Sequence, residues 1–137
     1  MDGYVFIGCT NLRSVTLGTG ITTIANYTFN GCINLSNVKI LGVITSIGSQ
    51  AFNNCDGLTN FVLPASIISV EESAFRNCDN LVSITMESAT PPTFNSNCIP
   101  TNVTTIYVPE GATDEYRAAL TNYNSTWGAS VSIVEVT

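Results

Sequence analysis

Cysteine is the residue type whose spacing here most suggests chemistry, because four of the five cysteines recur every 23 residues. If each period forms one layer of a stack, the four thiols lie in a line and not at the corners of a tetrahedron. The chain also has no His. Both observations disfavour a metal site. A disulfide between layers is harder to exclude, although parallel Cβ atoms about 4.8 Å apart are slightly too distant for one. We expect these four side chains to be reduced, buried and apolar in role: Cys9, Cys32, Cys55 and Cys78. Cys98 lies outside the period, and its redox state is left open.

The acidic residues offer a second kind of site. Asp56 and Asp79 are one period apart, so a calcium ion could bridge them, but the equivalent earlier positions are Thr10 and Ile33. Two aligned carboxylates fall short of the roughly six to eight oxygen ligands that calcium takes. We therefore interpret both as solvated loop residues. With no His, no Gly-rich phosphate loop and no ordered carboxylate pair outside the repeat, we expect no catalytic centre and no cofactor.

The cysteines belong to a longer apolar frame that has the same period. It begins at four phenylalanines, Phe6, Phe29, Phe52 and Phe75, and continues with Cys at +3, Leu at +6 and apolar residues at +9, +11, +15 and +18. A fixed period of this length indicates a solenoid in which each repeat is one coil. The fragment Leu12-x-x-Val15-x-Leu17 also matches the L-x-x-L-x-L strand of leucine-rich repeats. The predicted fold class is a right-handed leucine-rich repeat coil, rich in β-structure, with short helical turns.

Each coil should contain two strands and one tight turn. Alternation places Val15 and Leu17 inside the first strand, and the β-branched residues near Ile21 and Ile24 favour a second strand on the opposite wall. The turn ends just before each periodic Cys, at residues that tolerate left-handed backbone: Gly8, Gly31, Asn54 and Asn77. Parallel pairing should stack the outward residues of the first strands into one wall, formed by Ser14, Thr16, Asn37, Lys39, Asn60, Val62, Ser83, Thr85, Thr105 and Tyr107.

The frame breaks after Met86, where Thr90 and Thr93 occupy the +15 and +18 positions around Pro91–Pro92. Phe94 and Cys98 are interpreted as a degraded fifth turn, and Ile106-Tyr107-Val108-Pro109 as the last wall strand. A helix is predicted from Ala112 to about Tyr123, with Thr113 as its N-cap and with Tyr116, Ala119, Leu120 and Tyr123 on one face. Trp127, Val131 and Ile133 should help this helix to cover the last coil. The predicted division is a solenoid over 1–111 and a helix-and-strand cap over 112–137, within one domain.

The full frame resembles the BspA-like leucine-rich repeat family. Its clearest copies are Ala51-Phe52-Asn53-Asn54-Cys55 and Ser73-Ala74-Phe75-Arg76-Asn77-Cys78. The chain departs from the pattern in the fifth turn and at Tyr4/Val5 and Tyr27/Thr28, where an Ala usually precedes the Phe. The resemblance implies surface or secreted proteins whose usual inferred function is adhesion, with no shared catalytic or ligand residues.

Charge and length restrict the partners. The net charge is −6 and only 10% of the residues are charged, so nucleic acid and anionic membrane surfaces are poor partners. No apolar run reaches membrane-spanning length. The few residues before Phe6 cannot supply a cap, so we expect a fragment of a longer chain whose open first coil could self-associate.

Two functions remain open. The first is a cell-surface or secreted module that binds a protein or a glycan through the outward wall. The second is a structural spacer at the end of a longer array, since Lys39 and Tyr107 are the only charged and aromatic residues on that wall.

Overall fold

The computed structural model describes residues 5–137, so the departure of Tyr4 from the repeat pattern lies outside the described residues. Its elements follow one another as short strands and then two helices and a strand. In chain order they are β1 (Ser14–Leu17), β2 (Thr23–Ile24), β3 (Asn37–Ile40), β4 (Ser46–Ile47), β5 (Asn60–Leu63), β6 (Ser69–Val70), β7 (Ser83–Met86), β8 (Thr93–Phe94), β9 (Thr105–Pro109), α1 (Thr113–Tyr123), α2 (Trp127–Ser130) and β10 (Ser132–Val136).

Among the described residues the strand pairings are parallel, and they form two walls of the solenoid, as expected for stacked coils. The odd-numbered strands from β1 to β9 carry the L-x-x-L-x-L pattern, and the short strands β2, β4, β6 and β8 form a continuous second sheet. The predicted repeat solenoid, with a helix and a strand at its C-terminal end, is therefore confirmed. The division into residues 1–111 and 112–137 stays a prediction.

The core consists of columns of identical side chains that stack along the solenoid. The rings of Phe6, Phe29, Phe52 and Phe75 are stacked with centroids 5.3 to 5.4 Å apart. Phe61 presents its ring edge-on to Phe52 and Phe75, at centroid distances of 5.0 and 4.8 Å. One coil could not bury such rings alone, so stacking between coils provides most of the apolar burial.

The tight turns contain two left-handed positions in each of the second, third and fourth coils. The predicted one is confirmed at Gly8, Gly31, Asn54 and Asn77, with φ between 58° and 79°. A second lies two residues before the core Phe, at Tyr27, Gln50 and Ser73, and two residues before Ile99, at Asn97, with φ between 55° and 63°. The sequence did not reveal this second position, because Tyr, Gln and Ser are not residues that favour left-handed backbone.

The outward wall formed by the first strand of each coil is interrupted between β3 and β5. Continuous parallel pairing of these strands was expected, so this expectation is wrong at one place. β1 pairs with β3, and β5, β7, β9 and β10 form a separate sheet. Proline explains part of the break. After β3, Leu41 N donates to Leu17 O of the preceding coil, and after β7, Glu87 N donates to Leu63 O. The equivalent residue after β5 is Pro64, which has no N–H to donate. Coils two and three stay joined elsewhere, for example where Ile68 N donates to Thr45 O at 2.7 Å.

The fifth turn also differs from its predicted form. Phe94 lies in β8 and pairs with Val70, so it belongs to the second sheet and does not continue the phenylalanine column. In the second and third coils the Phe N–H donates to the Ala carbonyl of the next coil, as Phe52 N does to Ala74 O. Phe75 N donates instead to Cys98 O, so Cys98 occupies the Ala position and Ile99 the Phe position of the fifth turn. One inserted residue before β8 shifts the register, which the fixed 23-residue frame could not accommodate.

The C-terminal residues close the last coil differently from the prediction in two respects. Strand β10 pairs with β9 along its whole length, so β10 and not β9 ends the wall. Thr113 is the first helical residue and Ala112 the N-cap; the Thr113 hydroxyl instead donates to Glu135 Oε1 at 2.7 Å. On α1, Tyr116 and Leu120 are fully buried, as predicted.

Helix α2, which the sequence reasoning missed, completes the closure of the core. It begins at the buried Trp127, whose Nε1 donates to Val103 O at 2.8 Å. Tyr116 donates its hydroxyl to Ser88 O at 2.6 Å, and Arg117 Nη1 donates to Gly128 O at 2.8 Å. These polar contacts attach both helices to the last coils, so the cap is fixed by hydrogen bonds as well as by apolar burial.

Candidate functional site

The outward residues of the first strands have the alternating exposure that the sequence predicted. In β5, for example, Asn60 and Val62 are exposed while Phe61 and Leu63 are buried. Six of the ten candidates are exposed and four are half-buried; the exposed ones are Ser14, Thr16, Asn37, Lys39, Asn60 and Val62, and the half-buried ones are Ser83, Thr85, Thr105 and Tyr107. All ten side chains can therefore be reached from solvent to some degree.

The structure brings these residues together in two groups rather than one. Thr16 pairs with Lys39 in the two-stranded sheet, and Ser14 pairs with Asn37. In the four-stranded sheet, Thr85 lies between Val62 and Tyr107 in the same row. The break between β3 and β5 separates the groups, so a partner on this wall would meet two patches.

The second patch is wider than predicted, because β10 adds a row. Val134 pairs with Tyr107, and Ser132 pairs with Thr105. Val134 is 39% exposed and Val62 is 48% exposed. The row Val62–Thr85–Tyr107–Val134 thus joins two exposed valines and a tyrosine on one outward face. The alternation of Val134 and Val136 was visible in the sequence, but it was interpreted as part of a cap.

Three of the four periodic cysteines donate to the preceding coil. Cys32 Sγ donates to Phe6 O at 3.1 Å, Cys55 Sγ to Phe29 O at 3.2 Å, and Cys78 Sγ to Phe52 O at 3.0 Å. Their expected burial is confirmed for these three, whereas Cys9 is only half-buried. All five cysteines carry free thiols in the structure.

Burial controls the acidity of the inner thiols. Desolvation raises the pKa of Cys78 from its usual 9.0 to about 12, and it raises the pKa of Cys32 and Cys55 as well. A nucleophilic or metal-binding cysteine needs a thiolate near neutral pH. The Cys32, Cys55 and Cys78 thiols are therefore held in the neutral form that suits a structural role.

Cys98 lies in a separate buried cluster with Tyr123. Burial raises the pKa of the Cys98 thiol to about 12 and raises that of the Tyr123 hydroxyl too. The Tyr123 hydroxyl donates to Ile99 O and accepts from Ile99 N, both at 2.9 Å. This cluster attaches the end of α1 to the fifth turn, and its neutral groups favour a structural role.

The two aligned aspartates are solvated, as expected. Asp56 and Asp79 are exposed, and Asp79 N donates to Asp56 Oδ1 at 3.4 Å. Among residues 5–137 no cluster of three or more Cys, Asp or Glu side chains could hold a metal ion. The same part of the chain contains no helix long and apolar enough to cross a membrane.

A row of asparagines was missed by the sequence reasoning. Asn34 Nδ2 donates to Thr10 O at 2.7 Å, and Asn80 Nδ2 donates to Asp56 O at 2.9 Å. Asn102 Nδ2 donates to three carbonyls of the preceding coil, those of Cys78, Asp79 and Leu81. The signal was the recurrence of Asn five residues after Phe, at Asn11, Asn34 and Asn80.

Coil three has Gly57 at this asparagine position, and it is the coil whose strand is not paired to the one before it. A Cβ at Gly57 would lie 2.7 Å from Leu35 O, so the turn approaches the preceding backbone too closely for any side chain. The close backbone approach at Gly57 and the lack of an asparagine side-chain donor at this position accompany the break between β3 and β5.

Stacked parallel strands, repeated apolar columns and an asparagine row on the turns define a leucine-rich repeat solenoid. The chain belongs to the family of the BspA type leucine rich repeat region, whose family model matches residues 1–126 in 6 copies. This confirms the family suggested by the repeat frame.

Two solved structures share the fold. A leucine-rich repeat protein from Bacteroides ovatus is 24% identical with a TM-score of 0.63, and the match covers 94% of this chain and 31% of that one. A leucine-rich repeat protein from T. pallidum is 20% identical with a TM-score of 0.50, covering 87% of this chain and 75% of that one. This chain thus spans about a third of the length of the Bacteroides protein. A search of curated proteins gave no match.

Proposed function

We propose that the chain is a non-catalytic binding module of a surface or secreted protein, and that its partner is a protein bound across the outward wall. The observation that carries the proposal is the row Val62–Thr85–Tyr107–Val134, in which apolar and aromatic groups lie side by side on a sheet face. Tyrosine is enriched at protein interfaces because it combines a large apolar ring with a polar end.

A protein suits this wall better than a glycan does. The exposed valines Val62 and Val134 offer apolar area and no hydrogen-bonding side chain, which favours a partner with its own apolar groups. The wall carries little charge, with Lys39 in the first patch as its charged residue. Adhesion at a cell surface is supported by the family and by the repeat architecture, which presents a long regular face.

The wall can be tested with two variants of similar chemistry. Val62→Asp places a charge on the wall, whereas Ile68→Asp places one at an apolar residue that is 67% exposed and lies outside the outward strand positions. Binding of each variant to an array of purified extracellular proteins would be measured by surface plasmon resonance. We expect Val62→Asp to weaken binding by at least about tenfold, or about 1.4 kcal/mol, and Ile68→Asp to bind as the parent does.

Equal loss in both variants, or unchanged binding of Val62→Asp to a partner that binds the parent, would contradict the proposal.

The alternative function is a structural spacer, which the small and mixed outward residues of β1 and β3 favour. Saturable binding to no protein in the array would support the spacer and count against the binding wall.

The N-terminal end is a second proposed contact surface, with another copy of the chain as its partner. Phe6 and Leu12 are only half-buried there, and Val5 and Ile7 are 50% and 49% exposed. Apolar groups beside a strand edge favour edge-to-edge association. Sedimentation velocity at increasing concentration should show dimers that Ile7→Asp removes; a parent chain that stays monomeric would contradict this.

A further inference from the structure

The shortened fifth turn leaves a cavity against the fourth coil. In coil four, Phe75 and Leu81 are six positions apart, whereas the equivalent Ile99 and Val103 are only four apart. The missing length leaves a notch of about 360 Å³. Its polar lining residues are Arg76, Asn77, Asp79, Asn97, Thr101 and Asn102. This volume is within the range of small-ligand sites.

Opposite charges line the notch without neutralising each other. Arg76 and Asp79 both contribute to it, and among the described residues neither side chain has an ion-pair partner. The guanidinium offers several N–H donors in a plane and the carboxylate offers acceptors only. A ligand that is only anionic would leave Asp79 repelled, and one that is only cationic would leave Arg76 repelled. The notch therefore suits a group with no net charge that both donates and accepts hydrogen bonds.

Two of the remaining polar side chains are held by hydrogen bonds to the preceding coil. Asn77 Nδ2 donates to Asn53 Oδ1 at 3.5 Å, and Asn102 Nδ2 donates to backbone carbonyls. The Asn102 amide nitrogen is used by three carbonyls, so its oxygen stays available as an acceptor toward the notch that it lines. Groups that are already ordered lose less entropy when a ligand binds.

We propose that this notch binds one neutral sugar residue of a glycan. Vicinal hydroxyls on a sugar ring are spaced to bind the two oxygens of a carboxylate, the two ends of an amide or the N–H groups of a guanidinium, and each hydroxyl both donates and accepts. The site is separate from the outward wall, because none of the ten wall residues lines the notch. The proposal goes beyond the protein-binding wall and does not depend on it.

The test is a titration of the ¹⁵N-labelled chain with methyl glycosides of glucose, galactose, mannose and N-acetylglucosamine, followed by ¹H–¹⁵N NMR. We expect saturable shifts for at least one sugar, with a Kd of the order of 1 mM, located at Asn77, Asn97, Thr101 and Asn102. Arg76→Ala should weaken that binding by about tenfold. Arg13→Ala removes an exposed arginine from the first coil and should leave the binding unchanged.

Three results would overturn the proposal. The first is the absence of saturable shifts with all four glycosides, and the second is equal weakening in the two arginine variants. The third is tighter binding of free glycine, whose paired charges could satisfy Arg76 and Asp79 instead of a sugar. Val62→Asp separates this site from the wall. Sugar binding that Val62→Asp abolishes would place the sugar on the wall and remove it from the notch.

Discussion

The Cys55 thiol donates a hydrogen bond to the backbone oxygen of Phe29, one coil earlier, at 3.2 Å. The same contact joins Cys78 to Phe52 and Cys32 to Phe6. Each of these three cysteines thus fills a small apolar space and donates to a carbonyl of the preceding turn. This accounts for the cysteine that follows phenylalanine in the second, third and fourth coils.

The first prediction concerns thiol reactivity. Cys32, Cys55, Cys78 and Cys98 are fully buried, whereas Cys9 is half-buried at the first coil. A thiol reagent should therefore label Cys9 quickly in the native chain and label the other four only after unfolding. Mass spectrometry after timed labelling gives the order directly. Fast native labelling of Cys55, or a disulfide between Cys32 and Cys55, would contradict the structural role.

The second prediction concerns stability at high pH. The thiols of Cys78 and Cys98 have a folded pKa of about 12, against a usual value of 9.0. Above pH 9 the unfolded chain loses these protons while the folded chain keeps them, so the free energy of unfolding falls as the pH rises toward 12. Below pH 9 these thiols add no pH dependence. Each should remove about 1 kcal/mol per pH unit within that window.

Urea denaturation between pH 8 and pH 10.5 measures this slope, with Cys98→Ala as the matched variant. The variant lacks one buried thiol and should lose stability less steeply with pH than the parent does. A parent whose stability stays constant or rises above pH 9 would show that the inner thiols are not buried.

The third prediction compares the inside and the outside of the same coil. Phe52 is fully buried between Phe29 and Phe75, so Phe52→Ala should lower the free energy of unfolding by about 3–5 kcal/mol. Asn60 is exposed, and Asn60→Ala should change it by about 0.5 kcal/mol or less. Thermal and urea denaturation measure both. Similar melting of the two variants would mean that the inside and outside faces are assigned wrongly.

The fourth prediction concerns the close approach of coils two and three. An added Cβ at Gly57 would meet Leu35 O at 2.7 Å, and backbone cannot move aside as a flexible side chain can. Gly57→Ala should therefore destabilise the chain by about 1–3 kcal/mol. At Gly18 a Cβ would meet no described atom within 4 Å, so Gly18→Ala is the control and should be nearly neutral. Equal effects would show that the coils are not in contact at Gly57.

The fold was predictable because its signal is repeated. Phenylalanine, cysteine and leucine recur at fixed offsets, so strand register, the inside face and the left-handed residues before each Cys follow from one coil and are confirmed in the others. The wall residues could be named for the same reason, since outward positions alternate with the buried ones.

The departures from the repeat could not be predicted in the same way. Pro64 and Gly57 each occur once in their columns, and their joint effect on the β3–β5 pairing depends on contacts between coils. The inserted residue before β8 moves Phe94 out of the phenylalanine column, and composition alone cannot distinguish that arrangement from a degraded turn. Strand β10 pairs with β9 across two intervening helices, a contact that sequence alternation does not specify. The notch lies in the same irregular segment, so no feature of the repeat frame predicts it.

The central structural feature is a stack of coils that is closed by α1, α2 and β10 at one end and is less covered at the other. Hydrogen exchange along the chain, measured by NMR on a sample dilute enough to be monomeric by light scattering, tests this directly. Ile106 and Val108 are fully buried under the cap, while Val15 is half-buried in the first coil. We predict that the amides of Ile106–Val108 exchange more slowly than those of Val15–Leu17. Slower exchange at Val15–Leu17 in the monomer would contradict the account.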